Sequence, residues 1–168
     1  LLVLGLACLL GWQTAAAQKP NIVLILADDF GYECVTANGG QSYQTPNLDR
    51  LAAAGMRFEQ CHVQPLCTPT RAQLMTGRYN VRNYLNFGTL VRTETTFAHL
   101  LKKAGYGTTL IGKWHLGALP KYGPLMSGYD HFWGFRGGSV DYFTHKAGVA
   151  NTNSGDLWDG DMKVEQAG

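Results

Sequence analysis

Apolar and polar residues fall along this chain in blocks whose periods differ. Asn21 to Ala27 is a continuous apolar run without alternation, the pattern of a central parallel strand buried on both faces, and Asp28 and Asp29 follow at its C-terminal end. Thr45 can cap a helix with Pro46 at its first position, Leu48 and Leu51 along one side, and Gly55 as the stop after Ala54. Met56 to Val63 returns to extended character, and the loop Gln64-Pro65-Leu66 delivers Cys67. There the loop turns into a short helix: Pro69 suits a first helical position, Ala72 to Met75 favour helix, and Gly77 can end it. A further helix is expected from about Thr96 to Ala104, with Leu100 and Leu101 inward, Lys102 and Lys103 near its end and Gly105 after it. Gly107 to Gly112 reads as another short strand, with Lys113 and His115 beyond its end.

This alternation predicts an α/β domain with a mainly parallel sheet flanked by helices. Ligands of open parallel sheets bind beyond the carboxyl ends of the strands. Asp28 and Asp29, Cys67, and Lys113 with His115 all follow predicted strands at that end, so three separated segments can converge on one pocket. After Leu119 the chain is rich in glycine and aromatic residues, which predicts loops and short strands, and from Asn151 onward it has no clear period.

Composition narrows the picture only a little. The 168 residues are enough for one core, and 45% hydrophobic with 15% charged residues is ordinary for a globular domain. A net charge of +2, scattered along the chain, argues against nucleic-acid binding, and no lysine or arginine run points to a membrane surface. A small anionic substrate stays open. Residues 1–17 carry no charge, and their apolar start ends near Ala15-Ala16-Ala17, a small-residue cleavage pattern. They read as a secretory signal peptide, truncated at its start because it lacks an initiator methionine and a basic leading region, and too short for a stable membrane span. An exported protein, periplasmic or secreted, is expected. Loss of Cys8 with the signal leaves Cys34, Cys61 and Cys67, an odd number, of which Cys34 and Cys61 could pair if Cys67 is modified.

The chemistry-bearing stretch is Cys67-Thr68-Pro69-Thr70-Arg71, running on to Leu74-Met75-Thr76-Gly77. Cys67 at a helix N-terminus sits beside unpaired backbone N–H groups and a partial positive charge, which favour an anion there. Arg71, about one turn further along, can bring its guanidinium fork to the same anion. Lys113 and His115 are two apart, so in an extended segment both face one side while Trp114 faces the core.

These residues carry a resemblance. Cys-x-Pro-Thr-Arg followed by x-x-Leu-Met-Thr-Gly is similar to the sulfatase signature, with Thr70 where the motif more often carries serine. Asn21-Ile-Val-Leu-Ile-Leu-Ala-Asp28-Asp29 before it and Gly112-Lys113-Trp114-His115-Leu116-Gly117 after it match in the family's order, and the resemblance runs from about Lys19 to at least Trp133. It implies an alkaline-phosphatase-like fold, incomplete at the C-terminus, with residues 18–168 forming the N-terminal part of the catalytic domain.

The resemblance also implies a chemistry. Cys67 would be oxidised by a formylglycine-generating maturation enzyme to formylglycine, a covalent nucleophile in its hydrated form. Asp28, Asp29 and the modified Cys67 would ligate a divalent metal, usually calcium, whose shell needs about six to eight oxygens. Arg71, Lys113 and His115 join Cys67 as catalytic residues, with Lys113 also contacting the sulfate. Thr144 and His145 fall where related enzymes place a hydroxyl residue and a histidine near it. The expected reaction is hydrolysis of a sulfate ester, on a sulfated glycan or an aryl sulfate. No downstream acidic or amide pair to finish the metal shell, and no distal lysine and histidine to protonate the leaving alcohol, is recognisable, so residues 1–168 alone are expected to be inactive. A phosphonate or phosphate ester hydrolase of the same superfamily, and a non-catalytic binder of sulfated glycans, are the alternatives.

Overall fold

The structure, a computed structural model, describes residues 18–148 and 154–165. The predicted signal segment, 1–17, lies outside them. The chain divides into two compact units, Leu1–Gly55 and Met56–Gly168. Among the described residues no helix is long and apolar enough to cross a membrane.

In the first unit, helix α1 (Pro46–Ala54) forms where proline at the first turn and Gly55 after the last predict it. Its entry is fixed by a clasp between two threonines: the Thr36 N–H donates to Thr45 Oγ1 (2.9 Å) and the Thr45 N–H to Thr36 Oγ1 (3.0 Å). Two 3₁₀ turns, Tyr32–Cys34 and Thr36–Asn38, precede it. The predicted strand at Asn21–Ala27 is not formed, and Val23 and Ile25 stand 83% and 85% exposed. A strand exists only through its ladder partners, and an apolar run states a need for burial without naming the strand that meets it. Met56 to Val63, in the second unit, likewise forms no strand.

The second unit is built on helix α2 (Cys67–Thr76), the single turn α3 (Asn80–Asn83), helix α4 (Phe97–Lys103) and a four-stranded sheet. Helix α2 begins at Cys67 itself, two residues before the expected start, and closes on Gly77 in the left-handed conformation with φ 64°. Thr96 caps α4 reciprocally with His99: the His99 N–H donates to Thr96 Oγ1 (3.3 Å) and the Thr96 N–H to His99 Nδ1 (3.2 Å). The face of α4 that turns inward carries Ala98, fully buried, whereas Leu100, expected inside, is exposed.

Strands β1 (Thr109–Lys113), β2 (His131–Phe135), β3 (Trp158–Asp159) and β4 (Met162–Lys163) lie in that order. Only β1 and β2 are parallel, in register from Thr109 against His131 to Lys113 against Phe135, so the sheet is mixed and not mainly parallel. The glycine-rich tail supplies the antiparallel strands, whose two-residue length carries no readable period. At the register pair Gly112–Gly134 the backbones close up so far that a Cβ on Gly134 would stand 2.0 Å from the Gly112 carbonyl oxygen, which explains glycine there. The core gathers Ala72 and Met75 of α2, Ala98 of α4, Trp114, Leu116, Tyr129 and Phe132. Burial pushes the Tyr129 phenol up to about 12.

The end of α4 is tied to the entry of β2 by Asp130. Lys102 Nζ lies 2.6 Å from one carboxylate oxygen, and the N–H and hydroxyl of Thr108 donate to the other at 3.0 Å. The Lys102 hydrogen bond, with those from Thr108, holds the Asp130 carboxyl down to about 2. A carboxyl depressed on folding stabilises the fold fully above its unfolded pKa of about 4 and loses that contribution as pH falls toward the folded value. Asp130→Asn should therefore lower Tm near neutrality and flatten the decline of Tm between about pH 4 and 2. Thermal melts across that pH series check it, and a variant whose acid decline matches the parent would remove Asp130 from the account.

Candidate active site

The site is assembled by fastening the start of α2 to the backbone that leaves β1. Thr68, fully buried, donates its hydroxyl to the His115 carbonyl (3.3 Å) and accepts from the Gly88 N–H (3.1 Å). One turn later Arg71, 6% exposed, donates from Nη1 to the Lys113 carbonyl (2.7 Å). The segment so gripped is also held by β2, because Trp114 N–H donates to the Phe135 carbonyl (2.9 Å) and His115 N–H to that of Arg136 (3.2 Å). Trp114 is buried in the core, as its place between Lys113 and His115 predicts.

The outcome is a short contact: Cys67 Sγ lies 3.1 Å from His115 Nδ1. His115 sits two residues past the end of β1 with φ 53°, a left-handed conformation uncommon outside glycine. Strand alternation therefore does not set its direction. The backbone bonds on either side do, together with the Phe87 ring, which meets the imidazole edge to face at 5.0 Å between centroids. Helix α2 is ten residues long, and Cys67 is its first, so the side chain stands where the helix presents unpaired N–H groups. Four of the expected residues, Cys67, Arg71, Lys113 and His115, thus form one connected group. Arg71 enters it through a backbone carbonyl, a bond that the expected anion-binding role did not include.

Asp28 and Asp29 occupy an exposed bend of the first unit, Asp29 with φ 51°. Thr144 is fixed within its own turn: its N–H (2.7 Å) and hydroxyl (2.8 Å) donate to Asp141 Oδ1. Those bonds, the Thr144 N–H foremost, hold the Asp141 carboxyl below the usual carboxylate range. His145, with φ 54°, donates its N–H to the Asp141 carbonyl (2.8 Å) and accepts from the Asp156 N–H (2.7 Å). None of these bonds is to the Cys67 group. Cys34, Cys61 and Cys67 are free cysteines, Cys34 in the first unit and the other two in the second.

A metal is a harder fit. Among the described residues no group of three or more histidine, cysteine or acidic side chains could hold an ion. Two neighbouring carboxylates offer at most about four of the six to eight oxygens that calcium takes and do not complete its shell.

Residues outside the expected set complete the frame. Asn83, 1% exposed, donates from Nδ2 to Thr76 Oγ1 (2.6 Å), and Asn80 Nδ2 donates to the Pro69 carbonyl (2.9 Å), so the turn α3 braces both ends of α2. The sequence hint was a pair of amides three apart directly after the helix stop.

The sequence profile of the Sulfatase family matches residues 20–164. The chain belongs to the sulfatase family. It is 43% identical over 143 residues to arylsulfatase G of Canis lupus familiaris, an alignment covering 80% of this chain and 26% of that protein. It is 43% identical over 150 residues to N-acetylgalactosamine-6-sulfatase of Mus musculus, covering 80% and 28%. The crystal structure of Ps i-CgsB in complex with k-i-k-neocarrahexaose superposes with a TM-score of 0.79 at 33% identity, covering 89% of this chain and 38% of that one. The chain thus spans about a quarter of the length of the curated sulfatases it matches, and its fold is part of the sulfatase α/β fold.

In this chain of the sulfatase family the Thr68 hydroxyl serves two half-buried backbone partners at once. Thr68→Val keeps the shape and removes the bonds to the His115 carbonyl and the Gly88 N–H, so it should cost about 1–3 kcal/mol. Urea unfolding measures this, and a change within experimental error would show that these bonds do not hold α2 to β1.

Proposed function

We propose that the complete protein hydrolyses a sulfate monoester to an alcohol and sulfate, with position 67 as the reacting centre. The observation that carries the reading is the placement of Cys67 at the first residue of α2 with Sγ 3.1 Å from His115 Nδ1. The net reaction consumes one water: the S–O bond to the alcohol breaks, sulfur gains one oxygen, and the alcohol departs with a proton.

Conversion of Cys67 to formylglycine by a maturation enzyme would supply hydroxyls for covalent catalysis at that position. The residues around it do the rest. The N–H groups at the start of α2 stabilise negative charge beside residue 67. His115 Nδ1 lies within reach of that side chain, where it can take or return a proton. Lys113, last in β1, contributes an ammonium charge to a group whose substrate is anionic, and Arg71 fixes its carbonyl. Asp28 and Asp29 are the carboxylates this chain offers to a divalent cation, with calcium the ion that oxygen ligands favour. Thr144 and His145 are proposed to meet the sulfate of the bound substrate. The relatives' names support a sulfated sugar or an aryl sulfate, and the saccharide bound to Ps i-CgsB supports a glycan. The uncharged apolar start of the chain supports export to the periplasm or the exterior.

The test is turnover by the full-length protein of an activated aryl sulfate beside the matching aryl phosphate. Sulfate hydrolysis should dominate, and Lys113→Ala should lower kcat/KM by at least about tenfold, because it removes a positive charge proposed to offset negative charge developing in the transition state. Dominant phosphate hydrolysis would move the protein to a phosphate or phosphonate ester hydrolase. Binding of sulfated glycans without turnover would make it a lectin-like module.

A further inference from the structure

Gly137 and Gly138 follow β2, and the stretch that holds them touches the His115 imidazole at Cε1 and Nε2. His115 N–H donates to the Arg136 carbonyl (3.2 Å), and a Cβ on Gly138 would stand 2.9 Å from both Cε1 and Nε2 of the imidazole. Any larger residue there would push the ring from its place beside Cys67. The floor under His115 is therefore bare backbone, and bare backbone needs something else to keep it still.

That anchor is one carboxylate. Asp156 Oδ1 accepts from the Arg136 N–H (3.3 Å) and from the indole Nε1–H of Trp158 (2.6 Å), while Oδ2 accepts from the Gly137 N–H (2.7 Å). A Cβ on Gly137 would stand 2.7 Å from Oδ2, so this glycine too is required, for a different contact. Trp158 is clamped in turn: the guanidinium of Arg136, 1% exposed, lies 4.0 Å over its ring and is paired with Asp161. Three donors converge on the two oxygens of Asp156, and none of them would accept the amide N–H₂ of an asparagine.

We propose that Asp156 is a positioning residue for His115: by fixing the backbone at Arg136, Gly137 and Gly138 it sets the imidazole so that Nδ1 faces position 67. It touches neither the reacting atom nor the imidazole. Its influence passes through the glycine floor, and its kinetic consequence rests on the sulfatase reading, whereas its effect on the Cys67–His115 contact does not.

The decisive measurement uses full-length protein made in a host without the maturation enzyme, so that position 67 stays a thiol. Alkylation by iodoacetamide is followed at each cysteine by peptide mass, with Cys34 and Cys61 as internal controls. An imidazole 3.1 Å from the sulfur can take its proton as the carbon–sulfur bond forms, so Asp156→Asn and Gly138→Ala should each slow Cys67 by roughly fivefold, in the direction of a His115→Ala control. Cys34 and Cys61 should keep their rates. In converted protein Asp156→Asn should lower kcat about tenfold with KM within about threefold, since no substrate contact is removed. An unchanged Cys67 rate in folded Asp156→Asn and Gly138→Ala overturns the proposal. If Asp156→Asn speeds all three cysteines, it has unfolded, and Trp158→Phe, which deletes a single donor to Asp156, decides: slower Cys67 supports the proposal and an unchanged rate overturns it. Failure of the parent enzyme to turn over any sulfate would defeat the sulfatase reading and leave the alkylation result standing.

Discussion

Two hydrogen bonds from buried side chains govern the arrangement of this site. The hydroxyl of Thr68 and the guanidinium of Arg71 reach the carbonyls of His115 and Lys113, and so the first turn of α2 is locked onto the exit from β1. Both side chains are buried, which makes each bond costly to leave unmade and excludes water as an easy substitute. The Cys67–His115 contact follows from that lock. Helix and strand come from segments more than forty residues apart in the chain, and the same two bonds set both the depth and the rotation of α2.

The lock also gives a second meaning to residues that a motif presents as purely chemical. Thr68 and Arg71 belong to the same five-residue stretch as Cys67, yet here each works on the backbone of the opposing segment. The stretch therefore reads as a fastening device that carries its reacting group at one end. On the other side of His115 the same logic recurs with polarity reversed. There a carboxylate collects backbone N–H groups, and glycines provide the close approach. The imidazole stands between a threonine–arginine clamp and an aspartate-held floor, and its left-handed backbone is sustained by bonds from both.

Much of this was legible before any coordinates. Proline and glycine placed α1 and α2 to within two residues, and threonine placed the start of α4, because caps act locally and need no tertiary partner. The expected convergence joined three segments, Asp28 with Asp29, Cys67, and Lys113 with His115; the contact of Cys67 with His115 and the reach of Arg71 to the Lys113 carbonyl link the last two, although the strand expected ahead of Cys67 is not formed. The unread parts are those whose cause is a distant partner. The apolar run Asn21–Ala27 forms no ladder, and Leu100 faces outward where Ala98 fits the space. The two-residue strands β3 and β4 are too short for a period to show. Gly137, Gly138 and Asp156 appear in sequence as loop residues, and only the approach of His115 and of the carboxylate reveals what each is for.

Position 67 is proposed as a reacting centre and not a structural thiol. The most direct test is the mass of the peptide containing residue 67, from full-length protein made in a host shown to mature another sulfatase. Conversion replaces the elements of H₂S by one oxygen, and the account predicts that lighter, aldehyde-bearing peptide. An unmodified cysteine in every such peptide would contradict it.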